Sequence, residues 1–213
     1  MIEVKADGLP PWLQPLVEGL QNVEPSEFLL AGSSEYEGAR QAAVLVLFGE
    51  GANGPDLLLL QRSAHLRNHA GQPAFPGGGV DPDDDGPVAT ALREAEEETG
   101  VDPAGVQVFA TLPQLWIPRS GNVVTPVLAW WREPCEVSPV DPGEVASVAR
   151  VPLADLADPA NRVMVRHRLG FVSPAFRVAD MLVWGFTAGV IDRLMKIAGW
   201  ERDWDRGVIE ALP

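Results

Sequence analysis

FPGGGVDPDDDGPVATALREAEEETGV, residues 75–101, decides how the rest of the chain is read. A proline and three glycines lead into an acidic Pro/Asp loop. The loop leads into a helical run that carries Arg93-Glu94-Ala95-Glu96-Glu97-Glu98 and stops at Gly100. At about 100° per residue, Glu94, Glu97 and Glu98 fall within an arc of roughly 100°, while Glu96 points nearly the other way. Arg93 stands one turn before Glu97 and can pair with it. Ala91, Leu92 and Ala95 supply small and apolar faces for packing. Three carboxylates on one face repel one another by about 0.2–0.5 kcal/mol per neighbouring pair. A bound divalent cation relieves that repulsion, and all-oxygen donors suit Mg²⁺ or Mn²⁺. The competing reading is a solvated acidic face. The glycine-rich approach, the adjacent arginine and the glycine stop favour the metal.

Composition bounds the setting. The chain has 213 residues, 46% hydrophobic and 22% charged, enough for one well-buried core with terminal additions. Its 21 glycines and 20 prolines imply many turns rather than a helical bundle. No apolar run reaches the roughly 18 residues that span a bilayer, and MIEVKADGLPPW lacks the basic and apolar segments of a signal peptide. A single cysteine, Cys135, rules out an internal disulfide framework and fits a reducing cytoplasm; it reads as a packed thiol rather than a nucleophile. The net charge of −14 disfavours nucleic acid and anionic membranes as partners. A small polyanion remains compatible, because a bound metal and local arginines reverse the field.

Working outward from residues 75–101, Pro11–Leu20 reads as a short amphipathic helix after a proline start, and residues 1–37 as an N-terminal arm packed on the core. Gln41–Phe48 and Asp56–Arg62 read as two strands of a hairpin. Arg62 and Arg67 then place two cations at the mouth of the metal site, where guanidinium forks suit phosphate oxygens; a surface salt bridge is the plainer role for either. His65 and His69 read as loop hydrogen-bonding residues. Beyond Gly100, Gln107–Leu112 and Val123–Trp131 are predicted strands separated by a loop, with Pro126 marking an edge or a bulge. Trp116 in that loop reads as packing, with stacking on an adenine as the alternative. A short helix follows at 152–157 and a hairpin at 162–173. A long apolar helix is predicted over 180–198, with Asp180 as its N-cap and Gly199 as its stop. Residues 201–213 read as a polar tail.

Two motifs carry a resemblance. Gly79-x5-Asp85-x7-Arg93-Glu94-Ala95-x-Glu97-Glu98-x-Gly100-Val101 resembles the Nudix box, G-x5-E-x7-R-E-U-x-E-E-x-G-U with U apolar, with Asp85 in place of Glu. A second register begins at Gly78, carries one extra loop residue, and makes Asp84 the acidic position. Immediately upstream, Leu58-Leu59-Leu60-x-Arg62-Ser63-x3-Arg67-x3-Gly71-x3-Phe75-Pro76-Gly77-Gly78 is similar to the LLT-x-RS-x3-R-x3-G-x3-FPGG signature of coenzyme A pyrophosphatases, with Leu60 in place of Thr.

The resemblance implies a Nudix fold, an α/β/α sandwich with a mixed sheet, over residues 38–200. It implies Glu94 and Glu98 as metal ligands, Glu97 as ligand or general base, the Gly78 carbonyl as a further ligand, and Arg93 as the orienting residue. Arg62 and Arg67 would then neutralise substrate phosphates, with Arg119 as a third substrate contact. Glu144 matches the loop Glu that reaches the metal site in this family; a solvent-exposed loop carboxylate is the competing reading. Trp184-Gly185-Phe186-Thr187-Ala188 resembles the subfamily's W-G-x-T-A and reads as helix packing, with a homodimer interface as the further role. The implied reaction is Mg²⁺- or Mn²⁺-dependent in-line attack of water on a pyrophosphate in coenzyme A or its derivatives, giving 3′,5′-ADP and 4′-phosphopantetheine. Two rivals stand beside it. One is hydrolysis of ADP-ribose, NADH or a nucleoside triphosphate; the other is a catalytically silent ligand-sensing domain, which the intact Arg93, Glu94, Glu97 and Glu98 argue against.

Overall fold

The computed structural model describes residues 2–24, 38–66, 69–117, 121–167 and 170–212. Strand β1 (Arg40–Gly51) is the axis of the main sheet, and its alternation sets the layers. Ala43, Leu45 and Leu47 face one way and Val46 and Phe48 the other, as a strand's period of two requires. β1 pairs antiparallel with β2 (Gly54–Arg62) through the expected hairpin and parallel with β7 (Asn122–Trp131) on its other side. β3 (Pro73–Ala74) pairs with β2 and β4 (Gly77–Gly79) with β1, so the glycines of the deciding stretch form a strand. β5 (Val106–Thr111) and β6 (Leu115–Ile117) pair with β7, and β8 (Val145–Pro152) pairs with β2.

Helix α2 (Gly86–Thr99) lies on the Ala43/Leu45/Leu47 face, where Ala91 and Ala95 are fully buried and let it sit close. It ends as the sequence predicts. Gly100 takes the left-handed conformation (φ 76°) and its N–H bonds to the Glu96 carbonyl. The opposite face is covered by α1 (Gln14–Asn22), α3 (Leu153–Ala157) and α4 (Gly185–Ile197), whose apolar residues join Val46, Phe48, Leu57 and Leu59 in the larger core. The result is the expected mixed sheet between helices.

Four details differ from the sequence reading. Residues 115–117, expected as loop, form β6. Pro126 lies in the central strand β7, not at an edge. Its carbonyl accepts from Leu112 N–H on the β5/β6 side, so its missing N–H faces the gap between those two strands and no bond to β1 is lost. The last helix starts at Gly185 rather than Asp180: Ala179 and Asp180 have positive φ (49° and 58°) and turn β10 (Val172–Val178) into β11 (Met181–Val183). Finally, β9 (Arg162–Arg166), β10 and β11 belong to a second sheet, which β12 (Ile209–Ala211), from the expected tail, extends by pairing parallel to β9.

One buried cluster ties this second sheet to the rest. The Arg162 side chain is 0% exposed and lies between the rings of Phe176 and Trp204, 4.8 and 4.5 Å from their centroids. Its Nη2 bonds Asp192 on α4, and Nη1 stands 3.2 Å from Glu201 Oε1 as an ion pair without hydrogen-bond alignment. Thr187 and Ala188, from the Trp-Gly-x-Thr-Ala motif, are buried at the start of α4, where Thr187 Oγ1 donates to Pro73 O at 3.3 Å.

Candidate active site

The site is assembled where β4 meets α2. Glu98, on the sheet-facing side of α2, is 6% exposed. Its Oε2 accepts from Gly77 N–H (2.9 Å) and its Oε1 from Arg62 Nη1 (3.3 Å). Burial pushes the Glu98 carboxyl up to about 7; the Gly77 amide and Arg62 offset part of this, while Glu94 and Glu144 add to it. Burial likewise raises Glu94, against the pull of Arg93. Gly78 makes room for this helix: a Cβ built on it would lie 2.4 Å from the Glu94 carboxyl carbon. Glu97 is mostly exposed and Glu96 faces solvent, as the wheel requires.

Arg93 organises the carboxylate face. Its Nη1 reaches both Glu94 Oε1 and Glu97 Oε2 at 3.0 Å, its Nη2 donates to Gly79 O at 3.2 Å, and its Nε and Nη2 grip Asp84 at 3.0 and 2.9 Å. Asp84 also accepts from Thr90 Oγ1 and from Asp81 N–H, which closes the acidic loop. The Arg93 hydrogen bonds hold the Asp84 carboxyl far below the ordinary carboxylate range. The geometry thus selects Gly78 and Asp84 over Gly79 and Asp85. Asp84 is the residue that fixes Arg93, and sequence spacing left it undecided. The available signal was its place nine residues before Arg93, which the extra loop residue obscures.

The other expected residues fall as follows. Glu144 is exposed, but its charge is felt by Glu98, and its carbonyl accepts from Ser63 N–H at 2.8 Å. That bond ties the loop after Arg62 to the Glu144 loop. Arg62 itself faces Glu98. Arg67 and Arg119 lie outside the described residues. His69 Nδ1 pairs with Gln72 Oε1 at 2.8 Å, a loop hydrogen bond. Trp116 is partly buried in β6. Cys135 Sγ accepts from Asp102 N–H and lies 3.6 Å from the Gly100 carbonyl, so it packs at the end of α2 away from the carboxylates.

Among the described residues, no three His, Cys, Asp or Glu side chains already converge on one point. The fit to a divalent cation lies in the donor set. Glu94 and Glu98 are hard oxygen donors held in partial burial that raises both, Glu97 lies on the same face, and the glycine strand packs against them, with the Gly77 amide on Glu98 and Gly78 against the Glu94 carboxyl. Gly78→Ala tests this arrangement. The added methyl displaces the flexible end of Glu94 rather than backbone, so folding is retained while turnover falls on the order of 10²-fold, the cost of about 1 Å of misplacement. Gly79→Ala, which meets nothing within 4 Å, leaves turnover unchanged. Thermal melting and initial rates on the same two proteins check both outcomes.

The chain is similar to known proteins in sequence and in fold. The NUDIX domain family model matches residues 38–168. The chain is 42% identical over 162 residues to the "Uncharacterized Nudix hydrolase NudL" of Citrobacter koseri, covering 73% of this chain and 81% of that one. It is 40% identical over 168 residues to the protein of the same description from Escherichia coli K12, with the same coverages. Among solved structures, the Nudix hydrolase RenU of M. smegmatis superposes with a TM-score of 0.53 at 22% identity, covering 79% of this chain and 91% of that chain, a likeness of fold. The chain belongs to the NUDIX family and is a Nudix hydrolase. Enzymes of this family use divalent metal cations. Among the described residues no helix is long and apolar enough to cross a membrane.

Proposed function

We propose that this Nudix hydrolase cleaves the pyrophosphate bond of coenzyme A or its derivatives, in the cytoplasm, giving 3′,5′-ADP and 4′-phosphopantetheine or its acyl form. The observation that carries this reading is where the upstream signature falls. Arg62 touches Glu98, Ser63 holds the Glu144 loop, and Gly77 donates its amide to Glu98. Arg62, Ser63 and Gly77 of the signature therefore border the carboxylate site, where they can select the substrate.

In this reading Glu94, Glu98 and Glu97 would hold Mg²⁺ or Mn²⁺; the Gly78 carbonyl expected from the sequence is not among the ligands, because pairing with Ala43 turns it toward β1. When bound, the ion supplies positive charge against the phosphoryl oxygens and makes a nearby water easier to deprotonate. The protein's own groups do the rest. Arg93, fixed by Asp84, holds Glu94 and Glu97 in place. Glu144 or Glu97 accepts the proton of the attacking water. Arg62, Arg67 and Arg119 neutralise the substrate's phosphates, where guanidinium forks match phosphate oxygens.

Initial rates with Mg²⁺ or Mn²⁺ on coenzyme A, acetyl-coenzyme A, ADP-ribose, NADH and ATP test the assignment. Coenzyme A compounds are expected to lead the panel by at least about tenfold in kcat/KM, equivalent to about 1.4 kcal/mol of transition-state discrimination. ADP-ribose turnover with coenzyme A inert overturns the substrate class, and inertness throughout overturns catalysis.

A further inference from the structure

Arg62 stands in two roles at once: the sequence places it among the phosphate-binding arginines, while the structure turns it onto Glu98. The contact is specific. Arg62 Nη1 is the protein group on Glu98 Oε1, whereas Oε2 is held separately by the Gly77 amide. Arg62 is 28% exposed and Glu98 6%, so the pair lies at the border between the buried carboxylate and the open side of the site. The Arg62 Nε is buried with no hydrogen-bond partner among the described residues, which leaves the guanidinium held through one end only. A buried carboxylate needs a cation, and the oxygen facing Arg62 is also one that a divalent ion would require.

We infer that Arg62 is the resident counter-cation of Glu98 and exchanges with the metal ion: metal binding at Glu98 releases the guanidinium toward the substrate's diphosphate. This rests on the proposed metal site and deepens it. Arg62 is then a positioning residue in the metal-free protein and a phosphate ligand only in the metal-loaded one. The metal and the polyanion consequently bind with positive coupling carried partly by this side chain, and the coupling is reciprocal.

The test reads binding rather than turnover. Mn²⁺ titrations by calorimetry compare the wild-type chain with Arg62→Met, Arg62→Lys and Glu98→Gln. Removing the competing cation in Arg62→Met is expected to tighten Mn²⁺ binding by about five- to tenfold, the low end of ordinary coupling factors, with Arg62→Lys close to wild type. In parallel, the Arg62 Nε–Hε resonance, identified by its loss in Arg62→Lys, is expected to move when Mg²⁺ is added to the wild-type chain. Because that signal is read on the unaltered protein, it keeps the test decisive should Arg62→Met fold poorly. Unchanged or weaker Mn²⁺ binding in a folded Arg62→Met, or an Arg62 resonance indifferent to Mg²⁺, overturns the exchange while leaving the metal site standing. Mn²⁺ binding as tight in Glu98→Gln as in the wild-type chain removes Glu98 from the metal ligands and overturns the exchange with it.

Discussion

Replacing Glu98 by Gln is expected to lower turnover of the preferred diphosphate on the order of 10²–10³-fold while leaving the fold intact. That magnitude is typical when one group acting on transition-state charge is removed. The reason the fold survives lies in the two carboxylate oxygens. A glutamine carbonyl still accepts from Gly77 N–H, so the tie between α2 and the glycine strand is kept. The variant also removes a carboxylate that burial disfavours as an anion. Arg62 loses a partner but is partly exposed and can turn to water. The melting temperature of the metal-free variant should therefore match or exceed that of the wild-type chain, and the stabilisation that Mg²⁺ or Mn²⁺ gives the wild type should be lost. Full activity in Glu98→Gln would remove Glu98 from the metal ligands.

The second large effect is on stability and lies far from the carboxylates. Arg162→Leu is expected to destabilise the chain by about 3–5 kcal/mol, the usual cost of breaking a buried ion pair from one side. In a chain of this size, at roughly 2–4 °C per kcal/mol, Tm falls by about 10 °C. The cost comes from what is left behind. Asp192, 7% exposed, keeps Lys196 as its side-chain partner among the described residues, and the space between Phe176 and Trp204 loses its cation. Glu201 is less affected, since Arg206 and Trp204 also bond to it. The double variant Arg162→Leu/Asp192→Leu should recover much of the loss, because replacing both members of a buried pair by apolar groups is often neutral. Thermal melts of the single and double variants decide this. If the double variant is as unstable as the single one, the cost is one of packing and not of the stranded charge.

How much of this was legible in the sequence follows the physics of each element. Glu94, Glu97 and Glu98 could be placed on one face because a helix has a fixed period and Gly100 fixes its end. β1 and β2 were legible because a buried strand is continuously apolar. The acidic loop was not: which of Asp84 and Asp85 meets Arg93 depends on how the turn at Asp81 closes, and no period governs that. The direction of Arg62 was hidden for a similar reason, since the pairing of β2 with β8 shifts register between Gln61 and Arg62. The late helix was begun too early because Met181–Val183 is as apolar as the helix after it. The deciding feature, positive φ at Ala179 and Asp180, carries no strong residue signal. β12 escaped because a three-residue strand at an edge needs its partner to be recognised.

The hydrogen bond from Thr187 Oγ1 to Pro73 O places the second sheet and α4 mechanically in series with the site. Pro73 begins the segment that runs through Phe75 and Pro76 to Gly77, whose amide holds Glu98. The C-terminal unit thus backs the glycine strand, although none of its described residues bonds to the carboxylates. Loosening it is expected to slacken the strand before the central sheet opens, so that turnover falls ahead of circular dichroism along one denaturant titration.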